Sequence, residues 1–183
     1  MQMINSYTEY IEQFLLCKGI TPPGEHHFVA TYLLPRLFEI NQLVPDYINP
    51  DGTKAIIGDI VYFKNGNHYL GIEVKFGTIR LTRNEFNNWV VNEDTARHPK
   101  VFIGIGTVGL IILSWREFRK AYFASAGIKM PRPISEGYGP QKTVNSFFLA
   151  GRGKGYFPRG RNESESQEYE SKFLKLLREA VNC

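Results

Sequence analysis

Asp59, Glu73 and Lys75 are the residues whose types and spacing suggest chemistry. They lie in the segment GDIVYFKNGNHYLGIEVKFG, residues 58–77. Two strand-prone runs, Ala55 to Phe63 and His68 to Phe76, flank Lys64-Asn65-Gly66-Asn67, the pattern of a β-hairpin. Glu73 and Lys75 are two apart, so within a strand they project from the same face. The turn decides where Asp59 falls. A three-residue turn centred on Gly66 sets Asp59 directly across from Glu73, whereas a two-residue Asn65-Gly66 turn sets it opposite Ile72.

In the first register two carboxylates and one amine converge. Facing carboxylates repel, and a hard divalent cation relieves that repulsion. Mg²⁺ binds through one or two carboxylates, keeps several waters and accepts phosphate oxygens. It would polarise a phosphodiester and lower the pKa of a bound water. Lys75 could orient or deprotonate that water, or stabilise charge on the phosphorus centre. The plainer alternative is a solvated hairpin face carrying exposed salt bridges. Against it stands the apolar setting: Ile56, Ile57, Ile60, Val61, Ile72 and Val74 make the strands look buried on both sides, where charges are seldom left unpaired.

The elements that must position these residues follow from periodicity. Residues 6–18 show helical spacing with a Ser6/Glu9 capping box. A second helical pattern starts at Glu25 and runs to Leu33, with Pro35 expected to kink or end it. Residues 45–54 are a polar loop. After the hairpin, Thr82 and Glu85 form another capping box, opening a helix with Phe86, Trp89 and Val90 as its apolar face. VFIGIG and GLIILSW are strands, with Ile103 to Gly109 a tight connection between them. Trp115 to Ala126 is a helix with Phe118, Tyr122 and Phe123 inward, and Glu163 to Val181 is a helix, acidic first and basic later. The order indicates one mixed α/β domain over residues 1–183, a central mixed sheet flanked by helices.

Charge is unevenly placed. Lys plus Arg number 22 and Asp plus Glu 18, a net +4. From Gly137 to Asn162 there is no acid, but there are Lys142, Arg152, Lys154, Arg159 and Arg161; the remainder is close to neutral. These five are candidates for contacting a nucleic-acid backbone. Residues 127–162 read as a Gly-rich basic loop region without period, and Tyr156 or Phe157 could stack on a base. Two cysteines, Cys17 and Cys183, exclude a disulfide-stapled fold and a CxxC zinc site. No run reaches the roughly 20 apolar residues of a membrane span. No membrane association and no signal peptide are expected, and a cytoplasmic location is. His26-His27 diverge by about 100° on a helix and do not chelate as an i,i+4 pair would. His68 and His98 read as solvated, and Cys17 as core.

Glu25 on a helix, Asp59 after Gly58, Glu73-Val74-Lys75 on the next strand and then LTRNEFNNW resemble the PD-(D/E)XK nuclease superfamily. The resemblance covers about residues 24–126 and implies a restriction-endonuclease-like αβββαβ core. It implies that Asp59, Glu73 and the Val74 carbonyl bind Mg²⁺, with Mn²⁺ able to substitute. It further implies that Lys75 assists attack by water and that Glu25 points into the site. Gly58 stands where the family name has Pro, and Glu85 where the helix often carries Gln. The expected activity is Mg²⁺-dependent endonucleolytic hydrolysis of duplex or branched DNA by a homodimer; RNA stays open as substrate. The alternative is a catalytically silent nucleic-acid-binding or assembly module with the same fold.

Overall fold

The computed structural model describes residues 32–42, 58–64, 67–92, 98–150, 154–158 and 160–182. The helical patterns over 6–18 and 25–31, Glu25, His26, His27, Cys17 and the 45–54 loop lie outside the described residues, as do Arg152 and Arg159.

The protein is α/β, with a mixed sheet of five strands in the order β1-β2-β4-β5-β7. Strand β1 (Ile60–Lys64) pairs antiparallel with β2 (Asn67–Phe76), and β2 pairs parallel with β4 (Val101–Ile105). Strand β5 (Gly109–Ser114) is antiparallel to β4, and β7 (Tyr156–Pro158) is antiparallel to β5. A second, two-stranded sheet joins β3 (Thr78–Ile79) to β6 (Lys142–Thr143). β4 is buried throughout and β5 nearly so, which explains their unbroken apolar runs: both faces are covered.

One face carries α1 (Leu34–Asn41) and α5 (Glu163–Val181). Their Leu37, Phe173, Leu177 and Val181 pack on Ile60, Tyr62, Leu70, Ile72 and Val74. Tyr32 donates to Glu170 Oε1 at 2.8 Å, tying the chain just before α1 to α5. The other face carries α2, α3 (Trp115–Ala126) and α4 (Val144–Ala150), with Phe86, Trp89, Phe118, Tyr122 and Phe147 around Phe102, Ile111 and Leu113. α2 opens as one α-helical turn, Arg83–Glu85, and continues as a π-helical stretch, Phe86–Val91.

Pro35 lies in the first turn of α1, Leu34–Asn41. Tyr32 and Leu33 before it are π-helical, and Leu33 already has helical φ −73° and ψ −46°, so the proline sits where the winding changes from π to α, in keeping with its missing N–H. The Thr82/Glu85 capping box is present as expected. A second box, Ser114 with Glu117, opens α3, and Gly127 closes it at φ 64°. The 127–162 region is less irregular than its composition suggests, since β6, α4 and β7 all lie within it. Among the described residues no helix is long and apolar enough to cross a membrane.

Helix α4 gives a direct check. Phe147 is fully buried, with ring centroids 6.0 Å from Phe102 and 5.6 Å from Phe118. Phe147→Ala is expected to lower unfolding free energy in urea by about 3–5 kcal/mol; a loop residue would cost under about 0.5 kcal/mol.

Candidate functional site

The hairpin ladder contains both registers that its sequence allowed. Lys64 pairs with Asn67 and Phe63 with His68. The register then shifts by one residue between Tyr62 and Phe63, a β-bulge with Tyr69 as the extra residue on β2. Beyond it Tyr62 pairs with Leu70, Val61 with Gly71 and Ile60 with Ile72. Continued one step, that register sets Asp59 level with Glu73; the ladder itself ends at Ile60, and the Asp59 N–H donates to Ile72 O at 2.9 Å. The Lys64–Asn67 pairing is thus that of the shorter connection, and the pairing from Tyr62 to Ile60 is that of the longer one.

Alternation then assigns faces. Ile60, Tyr62, Leu70, Ile72 and Val74 point toward α1 and α5. Val61, Gly71, Glu73 and Lys75 therefore point to the opposite side, where Glu73 is aligned with Phe102 and Lys75 with Gly104 on β4; Asp59, just before β1, lies against the β2 edge at Val74, with its charge acting on Lys75. All three charged residues are buried: Asp59 is 8% exposed, Glu73 1% and Lys75 8%. Lys75 Nζ lies 2.6 Å from Glu73 Oε1, and the Val74 N–H donates to Asp59 Oδ2 at 2.8 Å. A strand residue's N–H and C=O leave on the same edge, so the Val74 carbonyl also faces the β1 side, toward Asp59.

Electrostatics around Lys75 are set by these neighbours. Burial pulls its pKa down. Contact with Glu73 and the fields of Asp59 and Glu85 outweigh burial and hold it above the usual lysine value. Lys75 is thus an ammonium, suited to orienting water and stabilising negative charge rather than removing a proton. Glu85 lies within its electrostatic reach while its carboxylate accepts from the Thr82 N–H at 2.8 Å.

Among the described residues no three His, Cys, Asp or Glu side chains are gathered to hold a metal ion. A closed cage for Zn²⁺ or Ca²⁺ is not built from them. Two carboxylates and a backbone carbonyl, all hard oxygen donors, do fit Mg²⁺, which keeps water in its remaining positions.

Of the five basic candidates, Lys142, Lys154 and Arg161 are described. Lys142 is half-buried in β6, paired with core residue Ile79 on the α2–α4 side. Lys154 is exposed and lines a cavity of about 370 Å³ with Leu70, Val101, Ile112 and α5 residues, on the opposite side. Arg161 is held by Glu165 at 3.2 Å. Phe157 is 4% exposed and belongs to the core, and half-buried Tyr156 meets Phe148 edge-on at 5.6 Å. Phe157 therefore cannot stack on a base. His98 is not simply solvated: it stacks on Trp115 at 5.8 Å and Nδ1 lies 2.7 Å from Pro99 O.

Sequence reasoning passed over Arg80 and Tyr138. Arg80 Cζ lies 3.8 Å from the Tyr138 ring centroid, and Tyr138 is 53% exposed. The available signal was an aromatic between two glycines, Gly137-Tyr138-Gly139. Comparison with protein-family models, curated proteins and solved structures returns no match.

Two expectations follow. Gly58 has φ +128°, and a Cβ there would fall 2.7 Å from Ile72 O. Gly58→Ala should cost about 1–3 kcal/mol in urea unfolding, because the backbone that delivers Asp59 to Glu73 cannot form unstrained. The second concerns acid. Hydrogen bonds from the Arg161 side chain and N–H hold the Glu165 carboxyl down to about 2. A depressed folded pKa stabilises above the unfolded value of about 4.3, and this is lost as pH falls through about 2. Glu165→Gln should flatten the fall of Tm across that window, measured by circular dichroism.

Proposed function

We propose that this protein is a metal-dependent nuclease that hydrolyses DNA phosphodiester bonds at the β1–β2 hairpin. The observation that carries the reading is the convergence of Asp59, Glu73 and Lys75, all buried at one hairpin. Proteins rarely bury two carboxylates beside an ammonium in an apolar sheet without a use for them. The order of elements from β1 through α2 to the parallel strand β4 is consistent with a restriction-endonuclease-like core and with the nuclease resemblance of the sequence.

Asp59, Glu73 and the Val74 carbonyl would hold Mg²⁺, which supplies Lewis-acid polarisation of the phosphodiester and a more acidic water. The Val74 N–H fixes the Asp59 carboxylate through Oδ2. Lys75, held by Glu73, presents an ammonium that orients the attacking water and offsets charge growing on the phosphorus oxygens. Surrounding apolar side chains keep bulk water from weakening these interactions.

The test uses plasmid and forked DNA, with Mg²⁺ and with EDTA. Cleavage is expected only with the metal. Glu73→Gln and Lys75→Gln should each reduce the rate about 10²- to 10³-fold, measured on variants whose circular dichroism matches the wild type. Full activity in either variant would remove the assignment. Binding without cleavage by the wild type would favour a non-catalytic nucleic-acid module.

A further inference from the structure

Next to the candidate site lies a second surface. The chain leaves β2 through Gly77, forms β3 and enters α2 at Thr82, so Arg80 and Thr82 follow Lys75 closely. The 134–139 segment is fastened onto this stretch. Thr82 and Tyr138 form a β-bridge, and Gly139 N–H donates to Leu81 O at 3.0 Å. Arg83 N–H donates to Gly137 O at 3.1 Å, Arg83 Nη1 to Ser135 O at 2.9 Å, and Asn87 makes two hydrogen bonds to the Ile134 backbone. The pinned segment holds Tyr138 under Arg80. Thr82, Arg83, Asn84, Glu136, Gly137 and Tyr138 line a cleft of about 420 Å³.

Glu85 connects this surface to the site, since its carboxylate caps the Thr82 N–H while its field reaches Lys75. The chemistry of the surface is specific. An exposed ring stacked by a guanidinium offers a base two flat π-compatible surfaces, and Arg also neutralises phosphate. A nucleobase buried inside a blunt duplex cannot reach such a platform, but an unpaired one can. Asn84 and Glu136 supply an amide and a carboxylate acceptor for the edge of a base seated in the cleft.

We infer that the Arg80–Tyr138 platform and its cleft bind an unpaired nucleotide of the DNA that enters the β1–β2 site. The inference rests on the nucleic-acid reading above and narrows it to DNA with unpaired nucleotides beside the contacted phosphate. Its test is binding without metal, so that it does not depend on hydrolysis. Fluorescence anisotropy in EDTA compares a forked duplex with a blunt duplex of the same paired sequence. The wild type is expected to prefer the fork by about 10-fold or more. Tyr138→Leu and Arg80→Ala should each weaken fork binding by about 5- to 100-fold while changing blunt-duplex binding far less. Arg80→Ala should also lower the salt slope by about 0.7. Tyr138→Phe retains the ring and should retain the preference, which separates stacking from loss of loop structure. Equal wild-type affinity for fork and blunt duplex, absence of DNA binding, or a preference unchanged in both Tyr138→Leu and Arg80→Ala would overturn the inference. A retained preference with no cleavage in Mg²⁺ would overturn the hydrolytic reading alone.

Discussion

Placing two carboxylates and an ammonium inside an apolar sheet is the constraint around which the described structure is organised. Isolated charges are too costly to bury, so each must arrive in register with its neighbours. A one-residue slip in the β1–β2 ladder would turn Asp59 toward the apolar α1–α5 face and expose Ile60 to the charged one. The bulge between Tyr62 and Phe63 prevents this while permitting the Lys64–Asn67 pairing. Gly58 completes the device, since its backbone conformation and its closeness to Ile72 leave no room for a side chain. Strand β4, parallel to β2, then covers the other edge of the strand that carries Glu73 and Lys75.

The site and the aromatic platform illustrate two uses of positive charge. Lys75 is buried and fixed by Glu73, so its ammonium is a preorganised part of the proposed hydrolytic centre. Arg80 sits at the surface on Tyr138 and stays exposed. Arg161 illustrates a third, structural use: it is engaged with Glu165 in the first turn of α5, whose N-cap Asn162 accepts from Glu165 N–H at 2.9 Å.

Much of this was legible in the residues. Alternating apolar positions and Thr82/Glu85 located the hairpin and the start of α2, because both are local signals. The register from Tyr62 to Ile60, which brings Asp59 level with Glu73, was legible only as one of two, since it is uncoupled from the Lys64–Asn67 pairing by a bulge that no residue type announces. Helix α4 was hidden because VNSFFLA spans two turns at most and owes its helix to Val144 and Phe147 packing on the sheet. The π-helical course of α2 has the same apolar spacing as an α-helix. Charge along a sequence also says nothing of faces: Lys142 and Lys154 are near in the chain yet lie on opposite sides of the sheet.

Strand β7 has one more implication. Among the described residues it closes one end of the five-stranded sheet, and an open sheet edge is a template on which another chain can add a strand. β7 spans only Tyr156–Pro158. Pro158 brings no N–H, and the short run leaves few outward backbone groups to continue the ladder. The strand that closes the α5-side core around Phe157 is thus also a guard against edge-to-edge aggregation, achieved by brevity rather than by charge.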